Sequence, residues 1–246
     1  MRKFVDLHLR SPVEDLIQVE RMIRRSSDLG YRSVGIPLPP NIEREKIRQL
    51  KTVCENIGVD LVTRIDLVPK TPGELIRNLR RFRRRFEITS VSCNSKSVAR
   101  QAAKDRRVDL LAFSTGFPCR RFFDNAEAEL ASKAEAALEI DMASLLFLTG
   151  FPRIRFLSSL RREVAIAERF EVSIVISSGA SDVSHLRGPY DYTALATLFD
   201  LPTSQAMRGL TENPLSIVER NRKKLSSGYV APGLFVVRDA KPCLGI

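Results

Sequence analysis

Short apolar runs alternate with longer stretches of helical periodicity along the chain. The runs fall at Phe4–Leu7, Ser33–Ile36, Leu61–Ile65, Ile88–Cys93, Asp109–Phe113, Ala137–Asp141 and Ser173–Ile176, and each predicts a strand. Between them, Glu14–Leu29, Ile42–Ile57, Pro72–Arg85, Ser97–Asp105, Asn125–Lys133 and Arg153–Phe170 carry apolar side chains at three- and four-residue spacing and predict helices. Three more helical stretches, Asp191–Phe199, Thr203–Gly209 and Pro214–Leu225, follow the last strand. Repeated strand–helix units imply a parallel sheet with helices outside it. Seven strands in 246 residues suit an α/β fold of the TIM-barrel-like (β/α) type. An open doubly wound sheet is the alternative, and the first strand lacks the glycine-rich loop that a dinucleotide site there would need. No interdomain linker appears, so residues 1–225 are expected to form one barrel domain. Residues 226–246 are expected to form a C-terminal tail, either loose or adding an edge strand.

Charge changes the picture. The formal net charge is +11, which attracts polyanions. Nearly all of the excess sits in residues 75–121, where eleven arginines and two lysines face three acids, Glu87, Asp105 and Asp109. Residues 123–152 are the reverse, with six acids and only Lys133. The acidic stretch around Asp124, Glu127 and Glu129 is therefore expected to stay off any nucleic acid and to face protein. Arginine outnumbers lysine 30 to 10, and guanidinium groups fork onto phosphate and stack on bases. The four cysteines, Cys54, Cys93, Cys119 and Cys243, have no metal-ligand spacing and read as reduced thiols of a cytoplasmic protein without a signal peptide. No apolar run approaches the ~20 residues of a membrane helix.

Four constellations are candidates for chemistry. In Asp6-Leu7-His8-Leu9-Arg10, strand alternation puts Phe4, Asp6, His8 and Arg10 on one face at the end of the first strand, where barrel enzymes gather catalytic groups. The run resembles the opening Asp-x-His-x-His of the polymerase and histidinol phosphatase metal-dependent family. Arg10, however, stands where the second histidine ligand would be, and a cation there repels a metal. In Pro72–Phe86, Leu75, Leu79, Phe82 and Phe86 form an inward stripe. Arg77, Arg80, Arg81 and Arg84 form an outward one, with no acid between Glu74 and Glu87. Ser177-Ser178-Gly179, with His185 and Arg187 downstream, follows the last strand, where such barrels hold phosphate on backbone N–H groups; a turn and helix cap explains it equally well. In Phe113–Phe123, aromatics interleave with Arg120 and Arg121, and Phe122 and Phe123 read first as packing. There is no nucleophile elbow, P-loop or paired-carboxylate motif.

In order along the chain stand Phe4-Val5-Asp6-Leu7-His8, Arg107-Val108-Asp109-Leu110-Leu111-Ala112-Phe113-Ser114, Ala137-Leu138-Glu139-Ile140-Asp141, Ser177-Ser178-Gly179-Ala180, Leu186-Arg187-Gly188-Pro189-Tyr190-Asp191, Asn213-Pro214 and Glu219-Arg220-Asn221. This ordered set resembles the ribonuclease P protein component 3 family. The resemblance implies a barrel of the metal-hydrolase type kept as an RNA scaffold in a ribonucleoprotein that matures tRNA 5′ ends. It implies ribonuclease P RNA, ribonuclease P protein component 2 (two copies of each), other ribonuclease P proteins and precursor tRNA as partners, and no membrane. It implies no cofactor in this chain, with Mg2+ serving the RNA-catalysed reaction. The expected RNA-contacting set is Arg10 and Arg64 at the mouth, Arg77, Arg80, Arg81 and Arg84 on the helix, Lys96, Arg100, Arg120, Arg121 and Arg187 on the rim, and Ser177, Ser178, Gly179 and His185 in the last loop. No catalytic or metal-binding residue is expected. A stand-alone metal-dependent phosphoesterase using Asp6, His8, Glu139, Asp141 and His185 is the alternative.

Overall fold

A computed structural model describes residues 2–113, 121–231 and 234–235. The seven strands lie side by side in one parallel sheet, in sequence order: β1 (Phe4–Asp6), β2 (Tyr31–Pro37), β3 (Asp60–Leu67), β4 (Ile88–Ser92), β5 (Leu110–Ala112), β6 (Ala137–Asp141) and β7 (Ile174–Ser177). The sheet curls into a nearly closed barrel. β7 and β1 share no ladder, and single bonds span the gap: Gly179 N donates to His8 O (3.0 Å), Arg10 N to Ala180 O (2.8 Å) and Val5 N to Leu210 O (2.9 Å).

The helices outside are α1 (Leu16–Asp28), α2 (Arg44–Ile57), α3 (Pro72–Phe82), α4 (Lys96–Lys104), α5 (Asn125–Ala134), α6 (Ala143–Phe147), α7 (Gly150–Arg169), α8 (Pro189–Ala196), α9 (Thr203–Gly209) and α10 (Glu212–Leu225). Local chemistry sets their starts. The Asp15 carboxylate accepts from Ile17 N and Gln18 N at α1, and Thr71 Oγ1 accepts from Glu74 N at α3, where Pro72 takes the first turn. Asp124 and Glu127 close a capping box on α5. Helix α3 stops at Phe82, three residues before the expected end, and the next residues turn back towards β4. The sequence does not announce α6, which is too short to show a period. Among the described residues the tail adds no strand to the barrel sheet: β8 (Tyr229–Ala231) and β9 (Leu234–Phe235) pair antiparallel with each other.

Two layers fill the barrel. The lower one is apolar: Val5, Leu7, Val62, Ile88, Leu110, Ala137 and Val175, capped from below by Ile217 and Val218 of α10. The upper layer, one alternation further along the strands, is polar and contains Arg64, Ser90, Glu139 and Ser177, all buried. Helix α10 is thus the floor of the barrel, tied down by its own polar side chains. Arg222 pairs with Glu87 (2.5 Å) and Asp60 (2.8 Å), and the buried Asn221 donates to Glu87 O (2.8 Å). Among the described residues no helix is long and apolar enough to cross a membrane.

Candidate functional site

The mouth of the barrel is a hollow of about 280 Å3 lined by His8, Arg10, Arg64, Asp66, Glu139 and Asp141 among others. Arg64, on β3, is wholly buried and is the hub. Its Nη1 donates to Glu139 Oε1 (2.5 Å) and Leu7 O (2.9 Å), its Nη2 to Glu139 Oε2 (2.7 Å), and its Nε to Asp66 Oδ1 (2.6 Å). Ser177 Oγ donates to the same Glu139 (2.9 Å). Arg10 donates from Nη2 to Asp141, and its Nε lies 3.2 Å from His8 Nε2. Burial alone would push these carboxyls up. At Glu139 and Asp66 the Arg64 guanidinium outweighs it and holds both below the ordinary range. At Asp141 burial prevails over His8 and Arg10, and the carboxyl sits above its ordinary value.

Strand β1 ends at Asp6, and the alternation expected across Asp6, His8 and Arg10 breaks there. Val5 and Leu7 face the interior, His8 and Arg10 reach the mouth, and Asp6 does not line it. Instead Asp6 Oδ1 accepts from His8 N (3.1 Å) and Ser178 N (3.0 Å), which ties the end of β1 to the loop after β7. The metal site that the barrel type implies does not fit these residues, because two guanidinium groups hold the carboxylates a cation would need. Among the described residues no group of three or more His, Cys, Asp or Glu is placed to hold a metal ion. His185 is outside the mouth, its ring edge-on to Phe147 at 4.4 Å.

Several expected RNA contacts are engaged inside the protein. Arg64 is one. Arg121 is another: its side chain is buried, with Nε 2.8 Å from Glu163 Oε1 and Nη1 3.2 Å from Phe113 O. The loop Ser177–Gly179 is buried and its donors are spent, Ser178 N on Asp6 and Gly179 N on His8 O. Gly179 has φ +60°, and a Cβ there would lie 2.0 Å from Asp141 Oδ1, so glycine is needed to press this loop onto the mouth carboxylate. Lys96 and Arg100 are half exposed but meet Asp124, at 3.0 Å and 3.8 Å. The basic and acidic stretches are therefore not segregated in space, since α4 and α5 are neighbours. Arg187 is exposed and caps Ser184 O (2.7 Å). Arg120 lies outside the described residues.

The α3 stripe matches its expectation. Leu75, Leu79, Phe82 and Phe86 are buried, and Arg77, Arg80, Arg81 and Arg84 are exposed along the outer side of α3 and just beyond it. None of the four has a carboxylate within ion-pair distance among the described residues, and Arg81 lies over the Phe82 ring at 5.1 Å. The other two arginines of the run are engaged by the chain itself: Arg83 by Asn221 Oδ1 (2.6 Å), Arg85 by Pro40 O (2.8 Å). Phe122 and Phe123 pack against the core.

The α4–α5 contact carries a pH dependence. Glu127 is buried, and burial raises its carboxyl to about 7 against the backbone hydrogen bond from Asp124 that lowers it. A carboxyl raised in the folded state binds its proton more tightly than in the unfolded chain. Its contribution is complete at acid pH and is lost as pH rises from 4.5 to about 7. Glu127→Gln keeps the acceptor oxygen and should flatten the stability profile across that window, measured by urea midpoints at a series of pH values. An unchanged slope would refute the assignment.

Comparison with known proteins agrees with this architecture. The family model described as RNase P subunit p30 matches residues 3–226. The chain is 26% identical over 244 residues to ribonuclease P protein component 3 of Methanococcoides burtonii, covering 99% of this chain and 98% of that one. It is 27% identical over 238 residues to the protein of the same name from Methanosarcina barkeri, covering 96% and 97%. In fold, it is similar to a chain of a cryo-EM structure of archaeal ribonuclease P with mature tRNA (TM-score 0.82, 20% identity, 96% and 99% covered). It is also similar in fold to a chain of the metal-dependent tyrosine phosphatases YwqE from Bacillus subtilis and CpsB from Streptococcus pneumoniae (TM-score 0.51, 14% identity, 95% and 100% covered). With a matching model over nearly its whole length, the chain belongs to the RNase P subunit p30 family, and its role is that of a ribonuclease P subunit in tRNA processing.

Proposed function

We propose that this subunit binds the RNA of its complex through phosphates on the outer face of α3 and performs no hydrolysis itself. The observation that carries this reading is the row Arg77, Arg80, Arg81 and Arg84: four exposed guanidinium groups at three- and four-residue spacing, with no carboxylate to neutralise them among the described residues. The mouth supports the second half of the reading, because its carboxylates are committed to Arg64 and Arg10. In this reading the RNA performs the cleavage of precursor tRNA with Mg2+, which this chain does not hold. The chain pairs with ribonuclease P protein component 2, two copies of each, beside the other protein subunits, in the cytoplasm. The family membership supports these partners.

The test is a salt titration of binding to unrelated single-stranded and duplex RNAs. Contacts to phosphate carry little sequence information, so Arg77→Ala/Arg80→Ala/Arg81→Ala should weaken all RNAs alike. For single strands the plot of log affinity against log salt should become shallower by about 2, or about 0.7 for each phosphate no longer neutralised. Affinity and slope equal to the parent's would show α3 to be a solvated face.

A further inference from the structure

The floor of the barrel carries a cleft that no motif announces. Three segments converge on it: Arg83 and Arg84 beyond α3, Arg106 and Arg107 in the turn between α4 and β5, and Lys224, Leu225, Ser226, Tyr229 and Val230 at the end of α10 and after it. They enclose about 440 Å3, and the lining has five cationic side chains and no acidic one. Two of the five have an internal carboxylate partner: Arg83 reaches Asp109 (3.4 Å) and Arg107 holds Asp105 (2.7 Å). Arg84, Arg106 and Lys224 are exposed and have no carboxylate within ion-pair distance among the described residues. Burial, then the neighbouring Arg220 and Arg83, hold the Lys224 amine below its ordinary value. The helix dipole favours cations at the ends of α3, α4 and α10. It does not account for three separate segments aiming like charges into one hollow.

We infer that this cleft seats a phosphate of an RNA strand whose backbone continues onto the α3 row through Arg84, which belongs to both. Guanidinium groups arriving from different sides suit the oxygens of a phosphate. Leu225 and Tyr229 add a partly apolar wall on which a ribose or base can lie, which favours a nucleotide over a polyanion that offers charge alone. The inference rests on the RNA-binding reading above and moves its anchor to the end of the barrel opposite the mouth, away from the strand C-termini where β/α barrels hold their ligands.

The experiment compares the full-length chain with a cleft variant, Arg106→Ala/Lys224→Ala, and a row variant, Arg77→Ala/Arg80→Ala. The probes are a short mixed-sequence single-stranded RNA and polyglutamate of equal charge, and thermal melts verify folding. The cleft variant should bind the RNA roughly tenfold more weakly near 0.1 M salt, with a slope shallower by about 0.7–1.4. Polyglutamate should bind weakly and equally to all three proteins. A cleft variant that matches the parent while the row variant is weakened would overturn the cleft and leave the α3 interface standing. Two variants that both match the parent would overturn both readings. A loss of polyglutamate binding equal to the loss of RNA binding would make the cleft a site for acidic protein and overturn the inference.

Discussion

Arg64→Ala should cost about 3–5 kcal/mol of stability, the usual consequence of removing one partner of a buried ion pair. The substitution leaves Glu139 enclosed, with the Ser177 and Ser90 hydroxyls as its remaining side-chain hydrogen-bond donors and His8 Nδ1 3.8 Å away. It also takes the donor from Leu7 O and the cation from Asp66. In a protein of this size the melting temperature should fall by roughly 10 °C. Adding Glu139→Leu should recover part of the loss, since a pair replaced by apolar groups no longer strands a charge. Urea denaturation of the three variants measures the coupling. A single variant as stable as the parent would mean that water reaches the mouth and solvates Glu139, and Arg64 would not be its plug.

Glu163→Ala should be comparably damaging, by about 3–5 kcal/mol, because it strands Arg121. That guanidinium is sandwiched near the rings of Phe113 and Phe156, 5.9 Å and 5.2 Å from their centres, and its remaining acceptor is Phe113 O. The companion variant separates two roles for Arg121. If it were an RNA contact, as its place in an arginine-rich run implies, Arg121→Ala would weaken RNA binding at unchanged stability. The expected result is the opposite: lower stability, and unchanged affinity per folded molecule.

The strand–helix alternation was legible because the seven strands β1–β7 lie in one parallel sheet and every helix from α1 to α5 buries a single stripe. The outer face of α3 was legible for the same reason, since periodicity alone assigns Arg77, Arg80, Arg81 and Arg84 to solvent. Burial of the other arginines was not, because pairing depends on contacts far apart in the chain. Arg64 meets Glu139 75 positions on, and Arg121 meets Glu163 42 positions on. Lys96 and Asp124 looked like members of opposite charge blocks and are in contact. The floor cleft had a faint signal in Lys223-Lys224 at the end of the last helix. Nothing local joins it to Arg106 until the barrel curls.

Helix α10 has a consequence for how the protein is made. The apolar lower layer draws its residues from Val5 onward, but Ile217 and Val218 cover it. A ribosome must therefore translate nearly the whole barrel before the piece that seals it can arrive. Until then a ring of aliphatic side chains from the strands faces water at one end, with the charged network of Asp60, Glu87 and Asp109 lacking its arginines from α10. The nascent chain is an open tube until α10 emerges and closes it.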